Sequence, residues 1–146
     1  MTDEKTAFFV KPHALRLAKD IFEYLELNIC ASGSYHIKER KMAHISLRFI
    51  MEFYPYVKTR NSKNFEEMLK TYCGNIDLTI LTGKNIVQRV KDIVGSTNYK
   101  DNSPLTIRGK FGRILYGEKG YNLPNTLVHA SSLDEVERDF RILKKY

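Results

Sequence analysis

Short β-branched and aromatic runs alternate along the chain with stretches whose apolar residues recur every three or four positions. "TAFFVK" (6–11) has the character of a buried strand, and Pro12 ends it. From Pro12 onward Ala14, Leu17, Ala18, Ile21 and Leu25 repeat at helical spacing, and proline suits a helix's first turn. "NICASGSYHIK" (28–38) alternates loosely and predicts a second strand. Met42, Ala43, Ile45, Leu47, Phe49 and Ile50 then predict a helix ending near "EFYPY". The polar loop "VKTRNSKN" follows, and a short helix carries Phe65, Met68, Leu69 and Tyr72. "IDLTILTG" (76–83) is a third strand; Ile86, Val87, Val90, Ile93 and Val94 form the face of a helix that stops at Gly95. From Ser96 to about Pro124 the chain is rich in Gly, Asn, Lys and Tyr and predicts an irregular segment. It is far longer than an ordinary connection, and such segments usually carry function. "NTLVHAS" (125–131) is the fourth strand. "SLDEVERDFRILKKY" closes the chain as a helix, with Ser132 and Glu135 spaced as a capping box and Leu133, Val136, Phe140 and Leu143 as its buried face.

The order β-α-β-(αα)-β-α-β-α is that of a ferredoxin-like α+β fold, a βαββαβ frame with extra helices. It implies a four-stranded antiparallel sheet with helices on its face and a long loop on the ligand side. A chain of 146 residues is most simply one domain, 1–146. Cys30 and Cys73 make neither a disulfide framework nor a metal-ligand spacing, and no metal site is expected from them. "MTDEKTAFFVK" begins acidic and its apolar run is too short for a signal peptide, while no stretch approaches the ~18 apolar residues of a membrane span. A cytoplasmic protein without membrane contact is expected. The net charge of +7 points to an anionic partner, either nucleic acid or nucleotide phosphate.

Four features favour phosphate. Lys11 ends the first strand, where its ammonium leaves the sheet as a point charge. Arg108, in "TIRGKFG", lies beside Gly109 and Gly112, so backbone can approach a ligand closely. Lys91 falls on the polar side of the helix before Gly95, and Thr97 follows that glycine with a hydroxyl. His129 adds a nucleophile. A neutral imidazole can attack a terminal phosphoryl group and hold it as phosphohistidine, provided one ring nitrogen is held by an acceptor. Asp139, about two turns into the last helix, is a candidate acceptor, and Ser131 is near enough to orient the ring or touch phosphate. A histidine at the end of a central strand, exposed at the edge of the sheet and backed by a helix, is expected to meet a phosphate without being buried.

Five motifs in order, "FVKP", "GKNIV", "GSTN", "TIRG" and "NTLVHASS", make the chain resemble a nucleoside diphosphate kinase over essentially its full length. That resemblance implies phosphohistidine formation at His129, with phosphate contacts from Lys11, Thr97 and Arg108. It implies a base-stacking aromatic at Phe65 supported by Leu69, a tyrosine acting near the nucleophile at Tyr54, and a ribose contact from Asn125 or Thr126. It also implies nucleoside di- and triphosphates as partners, Mg²⁺ carried on their phosphates, and a homo-oligomer. Lys91 stands where the family has arginine, and Asp139 stands one residue closer to the histidine than the family's glutamate. "RILYGEKGYNLP" lengthens the nucleotide-side loop. The function implied is ping-pong transfer of the γ-phosphoryl group from a nucleoside triphosphate to a nucleoside diphosphate. The alternative is a catalytically degenerate nucleotide-binding regulatory protein of the same fold. An RNA-binding module on a similar frame fits less well, because Lys110 interrupts the aromatic pattern of "RGKFGRILY", and no specific nucleic-acid partner is expected.

Overall fold

The computed structural model describes residues 3–53, 73–96, 102–116 and 127–145. Strands β1 (Glu4–Val10), β2 (His36–Ile45), β3 (Gly74–Gly83) and β4 (Val128–Ala130) form one antiparallel sheet in the order β2-β3-β1-β4. The apolar run of β1 lies inside the sheet, paired with β3 on one side and β4 on the other. Successive side chains of a strand point to opposite faces, so β1 feeds two cores. Phe8 and Val10 pack on one face with α1 (Ala18–Ser32), α3 (Ile86–Val94) and α4 (Ile107–Tyr116), around Ile21, Leu25, Val90 and Phe111. Ala7 and Phe9 pack on the other with α2 (Leu47–Phe53) and α5 (Val136–Lys145), around Phe49, Phe53 and Ile142. This is the ferredoxin-like α+β frame, with α1 and α3 as its crossover helices and α2, α4 and α5 as additions.

Several elements differ from the sequence pattern. Pro12–Leu17 is a 3₁₀ turn that leads into α1. Residues 28–32 continue α1 rather than opening a strand. Ile29 keeps four-residue spacing with Leu25, both fully buried, and the chain leaves the helix at Gly33 with φ of 139°. β2 therefore starts at His36 and takes in Met42, Ala43 and Ile45, which the spacing assigned to a helix. Along the strand Met42 points outward while Ala43 and Ile45 point in, and a bulge between Ile37 and Glu39 switches which face the later residues present. A polar edge strand abutting α2 thus mimics one long helical stripe.

The largest correction lies at 107–116, expected to be irregular and found as α4. Gly109 and Gly112 concealed it, because glycine weakens a helix by about 1 kcal/mol relative to alanine. Packing and capping supply what propensity lacks. Ile107 and Phe111, one turn apart, are buried in the core, and Thr106 Oγ1 accepts a hydrogen bond from Gly109 N at 3.0 Å. A Cβ on Gly109 would overlap the Ser103 carbonyl oxygen, so the close approach expected there from a ligand is made by the chain's own backbone.

α5 begins at Val136, after a turn in which Ser132 Oγ donates to Asp134 Oδ1 at 2.7 Å and also contacts the Glu135 carboxylate. Leu133 precedes the helix and is 67% exposed, so it is not part of the buried face. That face centres on Asp139 and Ile142, with Val136, Phe140 and Leu143 half-buried. The short helix expected to carry Phe65, Met68, Leu69 and Tyr72 lies outside the described residues. No described helix is long and apolar enough to cross a membrane.

Candidate active site

The two-residue period of β1 carries Phe9 and Lys11 to the same side of the sheet, that of α2 and α5. β4 pairs with β1 so that His129 lies directly opposite Phe9. Lys11 extends the pairing one step, its amide donating to Leu127 O at 2.9 Å, before Pro12 turns the chain away. Lys11 and His129 thereby meet at one end of the sheet.

His129 belongs to an edge strand, but its side chain is only 14% exposed. The exposed position expected at a strand end is closed by α2 and α5. Phe9 stacks on the imidazole at 5.0 Å between centroids and 27° between planes, and Phe53 meets it edge-on at 4.8 Å and 76°. Nε2 lies 2.9 Å from Asp139 Oδ2. The same carboxylate oxygen accepts the Ser131 hydroxyl at 2.6 Å, and both Ser131 and Asp139 are fully buried. A buried carboxylate demands donors, and here it has them. With Nε2–H donating to Asp139, the ring lone pair resides on Nδ1. Ser131 meets the carboxylate rather than facing outward, so its place is that of a support for Asp139.

Burial lowers the His129 pKa from its ordinary 6.5, and the charges of Lys11 and Arg108 lower it further; the Asp139 carboxylate opposes them in part. The ring is therefore neutral at pH 7. Lys11 is buried too, and its pKa is held well below 10.5, first by desolvation and then by the Arg108 charge. Arg108 extends from α4 back towards β4. Its Nη1 donates to Gly95 O at 2.7 Å and its Nη2 to Val128 O at 3.0 Å, the residue before His129. Lys11, Arg108 and one buried carboxylate thus act on a neutral imidazole, an arrangement able to receive an anion.

The two residues that leave α3, Gly95 and Ser96, are held beside this group. Gly95 ends α3 with φ of 90°, and the Asn102 side chain pairs with both backbone groups of Ser96, at 2.7 Å and 2.9 Å. Lys91 lies in the last turn of α3, close enough for its charge to help hold the Asp134 carboxyl below its ordinary range, after the larger effect of the Ser132 hydroxyl. Tyr54, Phe65, Leu69, Thr97, Asn125 and Thr126 lie outside the described residues. Three residues of the site have no role assigned from the sequence. Phe9 carried a signal, since it shares strand phase with Lys11. Phe53 adjoins Tyr54 in "EFY". Arg138 adjoins Asp139, with which it can pair as a neighbour, but its bonds to the end of α2 left no signal.

These features define an α+β protein of the ferredoxin-like class with a histidine–carboxylate pair at the end of its sheet, flanked by cations. The model of the family described as "Nucleoside diphosphate kinase" matches residues 4–143. The chain is 32% identical over 113 residues to the nucleoside diphosphate kinase of Chlamydia abortus, covering 77% of each. It is 26% identical to that of Methanocaldococcus jannaschii, covering 97% of this chain and 94% of the relative. The chain belongs to the nucleoside diphosphate kinase family, and the activity class is that of a phosphotransferase. Two solved structures share its fold. A Borrelia burgdorferi nucleoside diphosphate kinase with bound vanadate and ADP superimposes with a TM-score of 0.73 at 23% identity, covering 97% of this chain and 87% of that one. A Halobacterium salinarum nucleoside diphosphate kinase in complex with CDP superimposes with a TM-score of 0.72 at 23% identity, covering 96% and 86%.

Proposed function

We propose that this chain transfers the γ-phosphoryl group of a nucleoside triphosphate to a nucleoside diphosphate in two displacements, through a phosphohistidine on Nδ1 of His129. The observation that carries the reading is the 2.9 Å contact from Nε2 to the buried carboxylate of Asp139, which directs the ring lone pair to Nδ1. In the first displacement that lone pair attacks the γ-phosphorus, and the bond to the bridging oxygen breaks. The nucleoside diphosphate leaves with the bonding electrons. In the second, a terminal oxygen of another nucleoside diphosphate attacks phosphorus, and the P–N bond breaks to return the lone pair to Nδ1. While phosphorus is attached the ring is cationic, and Asp139 balances that charge. Ser131 holds the second donor position on the same oxygen.

Lys11 and Arg108 stabilise the charge on the transferring oxygens. Burial and the Arg108 charge weaken the hold of Lys11 on its proton, and the negative charge of an arriving phosphate favours the ammonium form. Mg²⁺ belongs to the substrate and arrives on its phosphates, while Lys11 and Arg108 lie close enough for their charges to act on the His129 ring. Nucleotide contacts are assigned on the family resemblance, with Phe65 and Leu69 at the base, Asn125 at the ribose, Lys91 and Thr97 at the phosphates, and Tyr54 beside His129. The CDP and ADP bound by the two structural relatives support nucleotides as ligands. A single domain, a cytoplasmic setting and a homo-oligomer belong to the same proposal.

Initial rates with ATP and GDP, both varied with Mg²⁺, test the reading. Double-reciprocal plots should be parallel, as two-step transfer through one site requires. Intersecting lines would mean a ternary complex and no phosphoenzyme.

A further inference from the structure

Arg138 lies one residue before Asp139 on α5 and reaches the end of α2. Its Nη2 donates to the carbonyls of Glu52 at 3.0 Å and Phe53 at 2.6 Å. Its Nη1 stands 3.4 Å from Asp139 Oδ1, the carboxylate oxygen turned away from the histidine. The guanidinium carbon lies 5.6 Å from the centroid of the Phe53 ring. The last carbonyls of a helix lack intrahelical partners and carry partial negative charge. A planar, multi-donor guanidinium meets both of these and the carboxylate together.

The groups that fix His129 come from separate elements. Asp139, on α5, holds Nε2, and Phe53, on α2, closes the ring's edge. Both converge on Arg138. We infer that Arg138 is a positioning residue for phosphorylation of His129, setting the Asp139 carboxylate and the Phe53 ring against the imidazole with one side chain. The inference rests on His129 as the phosphoryl acceptor. Without the fork, Asp139 Oδ1 and the two carbonyls lose a common donor. The carboxylate and Phe53 then move independently, and the Nε2–H tautomer loses its selection over Nδ1–H. A lysine keeps the charge but offers no planar fork. α2 stays docked in either case, because Lys145 of α5 pairs with Glu52 at 2.5 Å and Phe53 packs on Phe9 of β1.

The test compares full-length wild type, Arg138→Lys and Arg138→Met by ¹⁵N NMR of the His129 ring, by single-turnover phosphoryl uptake from ATP, and by KM. Arg138→Met should lower the Nε2–H population and slow uptake on the order of ten-fold, with KM nearly unchanged, and Arg138→Lys should recover only part of that loss. A wild-type tautomer in both variants overturns the inference whatever the rate does, because it leaves Arg138 a merely structural tie. So does full recovery by lysine, since charge alone would then suffice. If Arg138→Met fails to fold, the lysine variant carries the same readouts. If the wild type takes up no phosphoryl group, the reading of His129 fails instead, and the tautomer measurement still answers for Arg138.

Discussion

Replacing Asp139 with asparagine keeps the side chain's shape, removes its charge and turns one acceptor oxygen into a donor. In the native site Oδ2 accepts from His129 Nε2 at 2.9 Å and from Ser131 Oγ at 2.6 Å, while Oδ1 faces Arg138 Nη1 at 3.4 Å. An amide has one acceptor end. With that end towards His129, the NH₂ group confronts the Arg138 guanidinium, donor against donor. Turned round, its NH₂ confronts the ring, and the imidazole must place its proton on Nδ1, the atom meant to attack. Either orientation forfeits a charge-assisted bond, a loss of about 1.5–3 kcal/mol. At about 1.4 kcal/mol per factor of ten, phosphorylation of His129 should slow roughly ten- to hundred-fold. Rapid-quench measurement with saturating γ-labelled ATP reads this step alone. Protonation of the ring cannot explain the slowing. The carboxylate raises the His129 pKa, so removing its charge lowers it further and leaves more neutral imidazole, not less. A rate within two-fold of wild type, in a folded variant, would refute the orienting role of Asp139.

Two further outcomes follow from burial and close packing. An NMR titration of His129 should show a midpoint below 6.5, since burial and the neighbouring cations weaken its hold on a proton; because the unfolded ring binds that proton near 6.5, stability contributed by neutral His129 is lost as pH falls below that value, and a midpoint at or above 6.5 would contradict the enclosed site. Gly109→Ala should lower unfolding free energy by about 1–3 kcal/mol in urea titration, although alanine is the better helix former, because its Cβ meets the Ser103 carbonyl; a stabilised variant would mean that α4 is not packed as described.

What the sequence disclosed tracks how local the determining physics is. β1, β3 and α3 followed directly from runs of one period, each bounded by Pro12, Gly83 or Gly95. β2 was obscured because Met42, Ile45 and Phe49 fall at helical intervals although a strand end lies between them. α4 was hidden because its stability comes from Ile107 and Phe111 in the core and from the Thr106 cap, which outweigh two glycines. In the site, Lys11, His129 and Asp139 were legible because each is placed by the phase of its own strand or helix. The tie from Arg138 to α2 was not, since those partners are backbone carbonyls 86 and 85 residues away and backbone leaves no mark in side-chain pattern. The enclosure of His129 was missed for a related reason. An edge strand is open by topology, and only the docking of α2 and α5 over it brings Phe53 and Asp139 onto the ring.

The central claim is that His129 carries the phosphoryl group between nucleotides. Incubating the protein with γ-labelled ATP and Mg²⁺, isolating it without acid and mapping the label by peptide mass spectrometry tests this directly. The account predicts label on His129, lost in acid, stable in base and discharged to GTP when GDP is added. Label that survives acid, or that appears equally on His129→Ala, would contradict it.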